Sequence, residues 1–358
     1  MVSTEDTQHS QLESEGLYPN PKKLIKEDQV DLKILKKLVG KSVLSVSEFD
    51  LQTVLELCKL AAFLEVVNIS ESHPLDGKII ITAFFEPSTR TRLSFESSVL
   101  RMDGKILSIP EGQSTGVAKG ESMSDIGEMF NAYGDAVVLR HTETSALEEI
   151  KKNLRLPLIN AGNGSGEHPT QALADWFAIL KWKPILKDPS RIKKEDRLHL
   201  AILGTPGSMR AVNSFLQMSL LFSQGIKEIT IISEMADPLG DELGNMLLEN
   251  DIEFEVTHDV NETLSNFDII YMNSIAFLGD SYKSLDSKFK LNKKSALKED
   301  AVVLHPLARL DELDPNLDGT HHNLYFTQAH GAVFVRQALF ISILNCFDRL
   351  PKDKIPFA

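Results

Sequence analysis

The stretch KIIITAFFEPSTRTRLSFE, residues 78–96, changes character twice along its length. Residues 79–85 are apolar and largely β-branched or aromatic, the composition of a buried strand. Pro87 ends that run, and two arginines and three hydroxyls then crowd into positions 88–92. Leu93, Ser97 and Leu100 recur at helical spacing until Gly104. Residues 88–91 are therefore expected in the first turn of a helix, directly after the carboxyl end of an interior strand. Free backbone N–H groups and the helix dipole favour an anion at such a place. Arg90 and the hydroxyls of Ser88, Thr89 and Thr91 add charge-assisted donors suited to phosphate. On composition alone, an ordinary Ser/Thr cap with arginines on a solvated face reads equally well.

Working outward, the strand–helix alternation repeats along most of the chain. Strand candidates are residues 78–85, 135–139, 156–160, 198–203, 228–233, 268–272 and 301–304. Amphipathic segments such as VSEFDLQTVLELCKLAAFLE (46–65) and NSFLQMSLLFSQG (213–225) lie between them. This pattern predicts an α/β fold of parallel sheets covered by helices on both faces. The units are too many for one compact sheet, so two doubly wound domains are expected. Residues 1–35 read as a mobile tail, and residues 36–167 with 330–350 as the first domain. Residues 168–329 form the second, and the final helix, GAVFVRQALFISILNCF, returns to the first.

A chain of 358 residues suits two domains. Its net charge of −13 argues against general nucleic-acid binding, while leaving room for a local basic pocket. No apolar run reaches the ~18–20 residues that span a bilayer. The start, MVSTEDTQHSQLESEG, lacks the basic and apolar segments of a signal peptide. Cys58 and Cys346 form neither a disulfide framework nor a zinc motif, so a cytoplasmic location is expected.

Other segments place reactive side chains where strands end. DAVVLRH puts Arg140 and His141 at a strand's carboxyl end, where α/β sheets bind ligands; His141 is read as a loop residue. In GNGSGEHPTQALADWF, residues 162–177, a glycine-rich loop delivers His168, and Pro169 suits a first helical turn. Gln171, three residues on, shares a helical face with His168. Trp176 reads as core. The loop STGVAKGES, residues 114–122, is polar, and solvation is its default reading. GTPG after strand 198–203, with Glu234 ending the next strand, faintly suggests a dinucleotide fold, but the full G-x-G-x-x-G is absent. His321 and His322 have no second ligand cluster and do not read as a metal site.

Taken in order, these segments resemble the aspartate and ornithine carbamoyltransferase family across about residues 36–350. The resemblance assigns the phosphate of carbamoyl phosphate to Ser88, Thr89, Arg90 and Thr91. Arg140 then touches both the phosphate and the carbonyl oxygen. His168 donates a hydrogen bond to that oxygen as charge develops, and Gln171 orients the carbamoyl nitrogen. The backbone carbonyls of Pro306 and Leu307, in HPLARLDEL (305–313), hold the same nitrogen. Thr115 and Lys119 match a loop that enters a neighbouring subunit's site, which implies a homotrimer with shared active sites. Lys119 and Arg210, the latter in LGTPGSMRAVNS, fall to the amino-acid substrate. No metal and no cofactor is implied, and regulatory chains are left open.

The His-Pro-Leu form and the C-terminal segment YFTQAHGAVFVRQAL resemble the aspartate branch, although Ala308 stands where a second proline is usual. That substitution predicts a looser loop. His330-Gly331-Ala332 replaces the usual Gly-Asn-Gly. In YMNSIAF, Ser274 and Ala276 occupy the places of an Arg-x-Gln that grips the aspartate side-chain carboxylate. Loss of a charge-assisted bond worth ~1.5–3 kcal/mol weakens that grip, and Lys283, Lys288 or Lys290 are candidates to replace it. The expected activity is carbamoyl transfer to L-aspartate, giving N-carbamoyl-L-aspartate and phosphate, a step of pyrimidine biosynthesis. The alternatives are another amino-acid acceptor, or a non-catalytic carbamoyltransferase-like binding subunit.

Overall fold

The computed structural model describes residues 19–25, 29–67, 69–112, 116–233, 235–258, 264–273 and 290–351. The chain divides into two compact units, one of Pro21–Ala174 with Gly331–Ala358, the other built on Asp175–His330.

The first unit holds strands β1 (Ile79–Phe84), β2 (Lys105–Ile109), β3 (Ala136–His141) and β4 (Leu158–Asn163). They form one parallel sheet in the order β2-β1-β3-β4. Its helices are α1 (Leu51–Val66), α2 (Thr89–Leu100), α3 (Met123–Phe130) and α4 (Ala146–Lys151). β1 is buried from Ile80 to Phe84, which is why it reads as an unbroken apolar run rather than an alternating one. On one face Ile81, Ala83, Val137, Leu139 and Leu158 meet Ile126 and Phe130 of α3 and Leu147 and Ile150 of α4. Asp50 starts α1 by accepting the Thr53 N–H at 2.7 Å.

The chain leaves this unit within α5 (Pro169–Trp182) and returns within α8 (Tyr325–Ile343). Between them, β5 (Leu198–Leu203), β6 (Ile226–Ile232), β7 (Glu253–Thr257), β8 (Ile269–Met272) and β9 (Val302–Leu304) make a second parallel sheet. Its order is β7-β6-β5-β8-β9. α6 (Arg210–Leu220) and α7 (Gly240–Glu249) belong to the same unit. Ala201, Leu203, Ile232, Ile270, Met272, Val303 and Tyr325 share one cluster of its core. Trp176 is fully buried and stacks on Phe222 with centroids 3.7 Å apart, in keeping with its reading as core.

All seven expected strands are present, 198–203 with its bounds unchanged and the other six with shifted ends, and β2 and β7 are two more. Both are edge strands of their sheets. They are short and largely exposed, with apolar residues broken by polar ones (KILSI and EFEVT), and gave no unbroken apolar run to read.

Strand order fixes where ligands can enter. In the first sheet the direction of winding reverses between β1 and β3; in the second it reverses between β5 and β8. The crevice beyond the carboxyl ends at such a reversal is the binding place of open α/β sheets.

Candidate functional site

In the first unit the reversal is flanked by the segment that opened the sequence reading. β1 ends at Phe84, whose register partner on β3 is Arg140. Ser88 takes the N-cap position of α2 with extended backbone (φ −160°, ψ 99°), yet its side chain makes no capping hydrogen bond. The first turn of α2, Thr89–Thr91, thus lacks the side-chain cap that the ordinary reading requires. Arg90 is exposed. Arg140 lies across the gap, with Nη2 at 2.6 Å from Glu86 Oε1 and Nη1 donating to the Ala161 carbonyl at 3.4 Å. The Phe85 N–H donates to the Arg140 carbonyl at 2.8 Å, tying the two strand ends together. His141, read from the sequence as a loop residue, is instead the last residue of β3, its ring edge-on to Phe85. Burial pushes its imidazole down from the ordinary value, against the opposing pull of Glu143 and Glu86. Its Nδ1 accepts the Glu143 N–H at 2.9 Å, a loop-shaping role.

β4, beside β3, delivers His168 through a loop that the sequence builds in detail. Gly162 and Gly164 have φ of 112° and 51°. A Cβ on Gly164 would lie 2.6 Å from the Thr142 carbonyl oxygen, so only glycine fits there. Asn160, fully buried, donates from Nδ2 to the carbonyls of Leu44 and Glu167 and accepts the Gly162 N–H at Oδ1. Glu167 accepts from Ser45 Oγ at 2.8 Å and from the Val46 N–H at 2.7 Å. His168 then caps α5: its carbonyl accepts from the N–H groups of Gln171 (2.9 Å) and Ala172 (3.3 Å). The imidazole is buried, with Nδ1 at 3.5 Å from Thr170 Oγ1.

Lys119 is exposed at the end of a single 3-10 turn, Gly116–Lys119. Thr115 lies outside the described residues.

In the second unit, β5 runs through Gly204 into a short turn, Pro206–Ser208, and Arg210 begins α6 beside the β5–β8 reversal. Ser274, Ala276, Lys283 and Lys288, and Glu234 of the dinucleotide reading, lie outside the described residues. Lys290 is engaged by Asp311, Nζ to Oδ2 at 2.7 Å.

The Pro306–Leu307 loop follows β9 and is pinned at several points. The Leu307 N–H donates to His305 Nδ1 at 2.8 Å, and the Leu310 N–H to Glu312 Oε1 at 2.9 Å. Arg309 pairs with both carboxylate oxygens of Asp318 and lies over the rings of Tyr325 and Phe326. The looser loop predicted from Ala308 is thus met by side chains that take its backbone donors. Burial alone would raise the Glu312 carboxyl; hydrogen bonds from His305 and the N–H groups of Leu310 and Glu312 outweigh it and hold the group below its ordinary value.

Glu86, Glu167, His305 and Glu312 carry no role in the sequence reading. Glu86 and Glu167 stand next to motif residues, which is the one signal that marks them. The bonds of His305 and Glu312 depend on how a loop closes, and spacing alone does not encode that.

Fold and helix start together define a doubly wound α/β protein with the chemistry to hold an anion at its first topological reversal. The chain belongs to the aspartate/ornithine carbamoyltransferase family: residues 41–181 match its carbamoyl-phosphate-binding domain and residues 196–343 its aspartate/ornithine-binding domain. It is 34% identical over 311 residues to the aspartate carbamoyltransferase catalytic subunit of Methanobrevibacter smithii, covering 85% of this chain and 95% of the relative. It is 32% identical over 326 residues to the chloroplastic aspartate carbamoyltransferase of Arabidopsis thaliana, covering 88% of this chain and 81% of the relative. The crystal structure of aspartate transcarbamoylase from Trypanosoma cruzi with carbamoyl aspartate and phosphate is similar at a TM-score of 0.76 and 28% identity, covering 87% of this chain and 98% of that one. Among the described residues no helix is long and apolar enough to cross a membrane.

Proposed function

We propose that this chain transfers the carbamoyl group of carbamoyl phosphate to the amine of L-aspartate, giving N-carbamoyl-L-aspartate and phosphate. The observation that carries the reading is the uncapped start of α2 beside Arg140 at the β1–β3 reversal. Ser88, Thr89, Arg90 and Thr91 take the phosphate, and Arg140 spans phosphate and carbonyl oxygen. His168 donates to that oxygen in the tetrahedral state, while Gln171 and the carbonyls of Pro306 and Leu307 hold the nitrogen. The amine nitrogen bonds to the carbonyl carbon, the carbon–oxygen bond to phosphate breaks, and the departing phosphate accepts the amine's proton. Orientation and preorganised charge lower the barrier. Arg210 holds the α-carboxylate of the acceptor.

The working species is a homotrimer in which Thr115 and Lys119 enter a neighbour's site. Exposed Leu93 and Leu100 share a face of α2, and Leu107 is exposed on the edge strand β2; such apolar surface favours a second copy of the chain.

The test is phosphate release from carbamoyl phosphate across a panel of amino acids. Strong turnover with aspartate supports the proposal. Turnover confined to a neutral or basic acceptor sinks the aspartate assignment, for which Ser274 and Ala276 supply the reason. Binding of carbamoyl phosphate with no turnover on any acceptor means a binding subunit.

A further inference from the structure

The loop after β9 closes on itself through one buried imidazole. The Leu307 N–H donates to His305 Nδ1 at 2.8 Å, and His305 Nε2 lies 2.9 Å from Glu312 Oε1. The same carboxylate oxygen accepts the Leu310 N–H at 2.9 Å. Both side chains are buried, His305 at 1% exposure and Glu312 at 2%. A backbone N–H can only donate, so Nδ1 is an acceptor and the ring proton sits on Nε2, facing the carboxylate. Glu312 therefore selects the tautomer that leaves Nδ1 open to Leu307.

The backbone of His305 is fixed as well. Its N–H donates to Gln328 Oε1 at 3.0 Å, and Gln328 Nε2 donates to Asp175 Oδ1 at 2.5 Å. The other oxygen of Asp175 accepts the Tyr271 hydroxyl at 2.9 Å. Asp175 and Tyr271 are fully buried, Gln328 nearly so, and every link lies within one unit. What this chain holds in place is Leu307, which has φ of 57°. A branched residue rarely adopts that left-handed conformation, and it needs surroundings that over-determine it. The N–H that His305 accepts belongs to that residue.

We infer that His305, its tautomer set by Glu312, is a positioning residue that aims the carbonyls of Pro306 and Leu307 at the carbamoyl nitrogen. It acts through Leu307 and does not touch substrate. The identity of the held group rests on the function proposed above; the bracket itself does not.

The experiment compares His305→Asn, His305→Gln and Glu312→Gln in the full chain. Asparagine keeps an acceptor at the place of Nδ1, whereas glutamine moves its polar end one bond outward at similar polarity. Readouts are kcat, KM for carbamoyl phosphate, and the inhibition constant of inorganic phosphate. A misplacement of ~1 Å costs about 10²-fold in rate, so kcat should fall about that far in His305→Gln and stay within about tenfold in His305→Asn. Glu312→Gln keeps an acceptor for both donors and should fall between them. Phosphate inhibition should stay unchanged in all three, because Ser88–Thr91 lie in the other unit. Equal losses in the Asn and Gln variants, or a parallel loss of phosphate inhibition, overturn the inference. A wild-type chain without turnover defeats the proposed function instead. In that case nitrogen-15 spectra of labelled histidine decide: a neutral His305 protonated at Nε2 supports the bracket, and protonation at Nδ1 refutes it.

Discussion

Arg140 and Glu86 form a charged pair at the edge of the expected phosphate site, Nη2 to Oε1 at 2.6 Å, with side-chain exposures of 12% and 21%. An incoming phosphate dianion must share Arg140 with that carboxylate and accept its repulsion. Glu86→Gln keeps an oxygen to receive the guanidinium but removes the competing charge. Phosphate affinity should rise about fivefold, the equivalent of ~1 kcal/mol for one half-buried pair. Isothermal titration with inorganic phosphate measures it; unchanged or weaker affinity means that Glu86 does not compete.

Arg90 and His168 should fail in different ways. Arg90 is exposed at the helix start and, in the proposed reaction, carries charge to the phosphate, so Arg90→Ala should mainly raise KM for carbamoyl phosphate. His168 is buried in a loop fixed by Asn160 and Glu167, and in the proposed reaction it meets an oxygen whose charge grows only in the transition state. His168→Ala should therefore lower kcat by about 10²–10³-fold, the range for losing one oxyanion donor. Steady-state kinetics at saturating substrate separates the two. An unchanged kcat in His168→Ala would remove its oxygen-stabilising role.

How much of this was legible beforehand depends on where each residue's signal is stored. β1 and β5 are buried on both faces, so their apolar runs announce them in one dimension. β2 and β7 are edge strands whose half-exposed pattern, with Glu253 and Glu255 pointing outward, mimics a polar connection. Ser88–Thr91, Arg140 and His168 could be picked out because each lies at or within a few residues of a strand's carboxyl end, where strand order then puts a crevice. The pairing of Glu86 with Arg140 joins the bend after β1 to the end of β3, and only the β1–β3 register brings them together.

Acid should loosen the Pro306–Leu307 loop through Asp318. Hydrogen bonds from Arg309 hold its carboxyl below the ordinary value, against partial burial and aided by the Tyr325 hydroxyl at 2.5 Å. A depressed folded pKa contributes stability that is present above the unfolded value near ~3.9. That contribution is lost as pH falls through the folded value. Asp318→Asn should thus lower the thermal midpoint at neutral pH, by progressively less as pH falls below ~3.9. Melting curves across pH 2–7 test this; parallel curves for the two proteins would show that the pair adds no pH-dependent stability.

Lys119 offers the sharpest test of assembly. It is exposed on a one-turn helix, a poor place for a group meant to act within its own subunit but a good one for reaching a neighbour. If the proposed trimer forms, Lys119→Ala and His168→Ala should each be nearly inactive on their own. Unfolding both together and refolding the mixture makes trimers in which some sites draw an intact lysine from one subunit and an intact histidine from the next. Random mixing in a closed ring gives about one quarter of such sites, so activity should return to about that fraction of wild type. Trimers shown by mass spectrometry to be mixed, yet inactive, would mean that each chain builds its site alone, and the exposed lysine would then need another explanation.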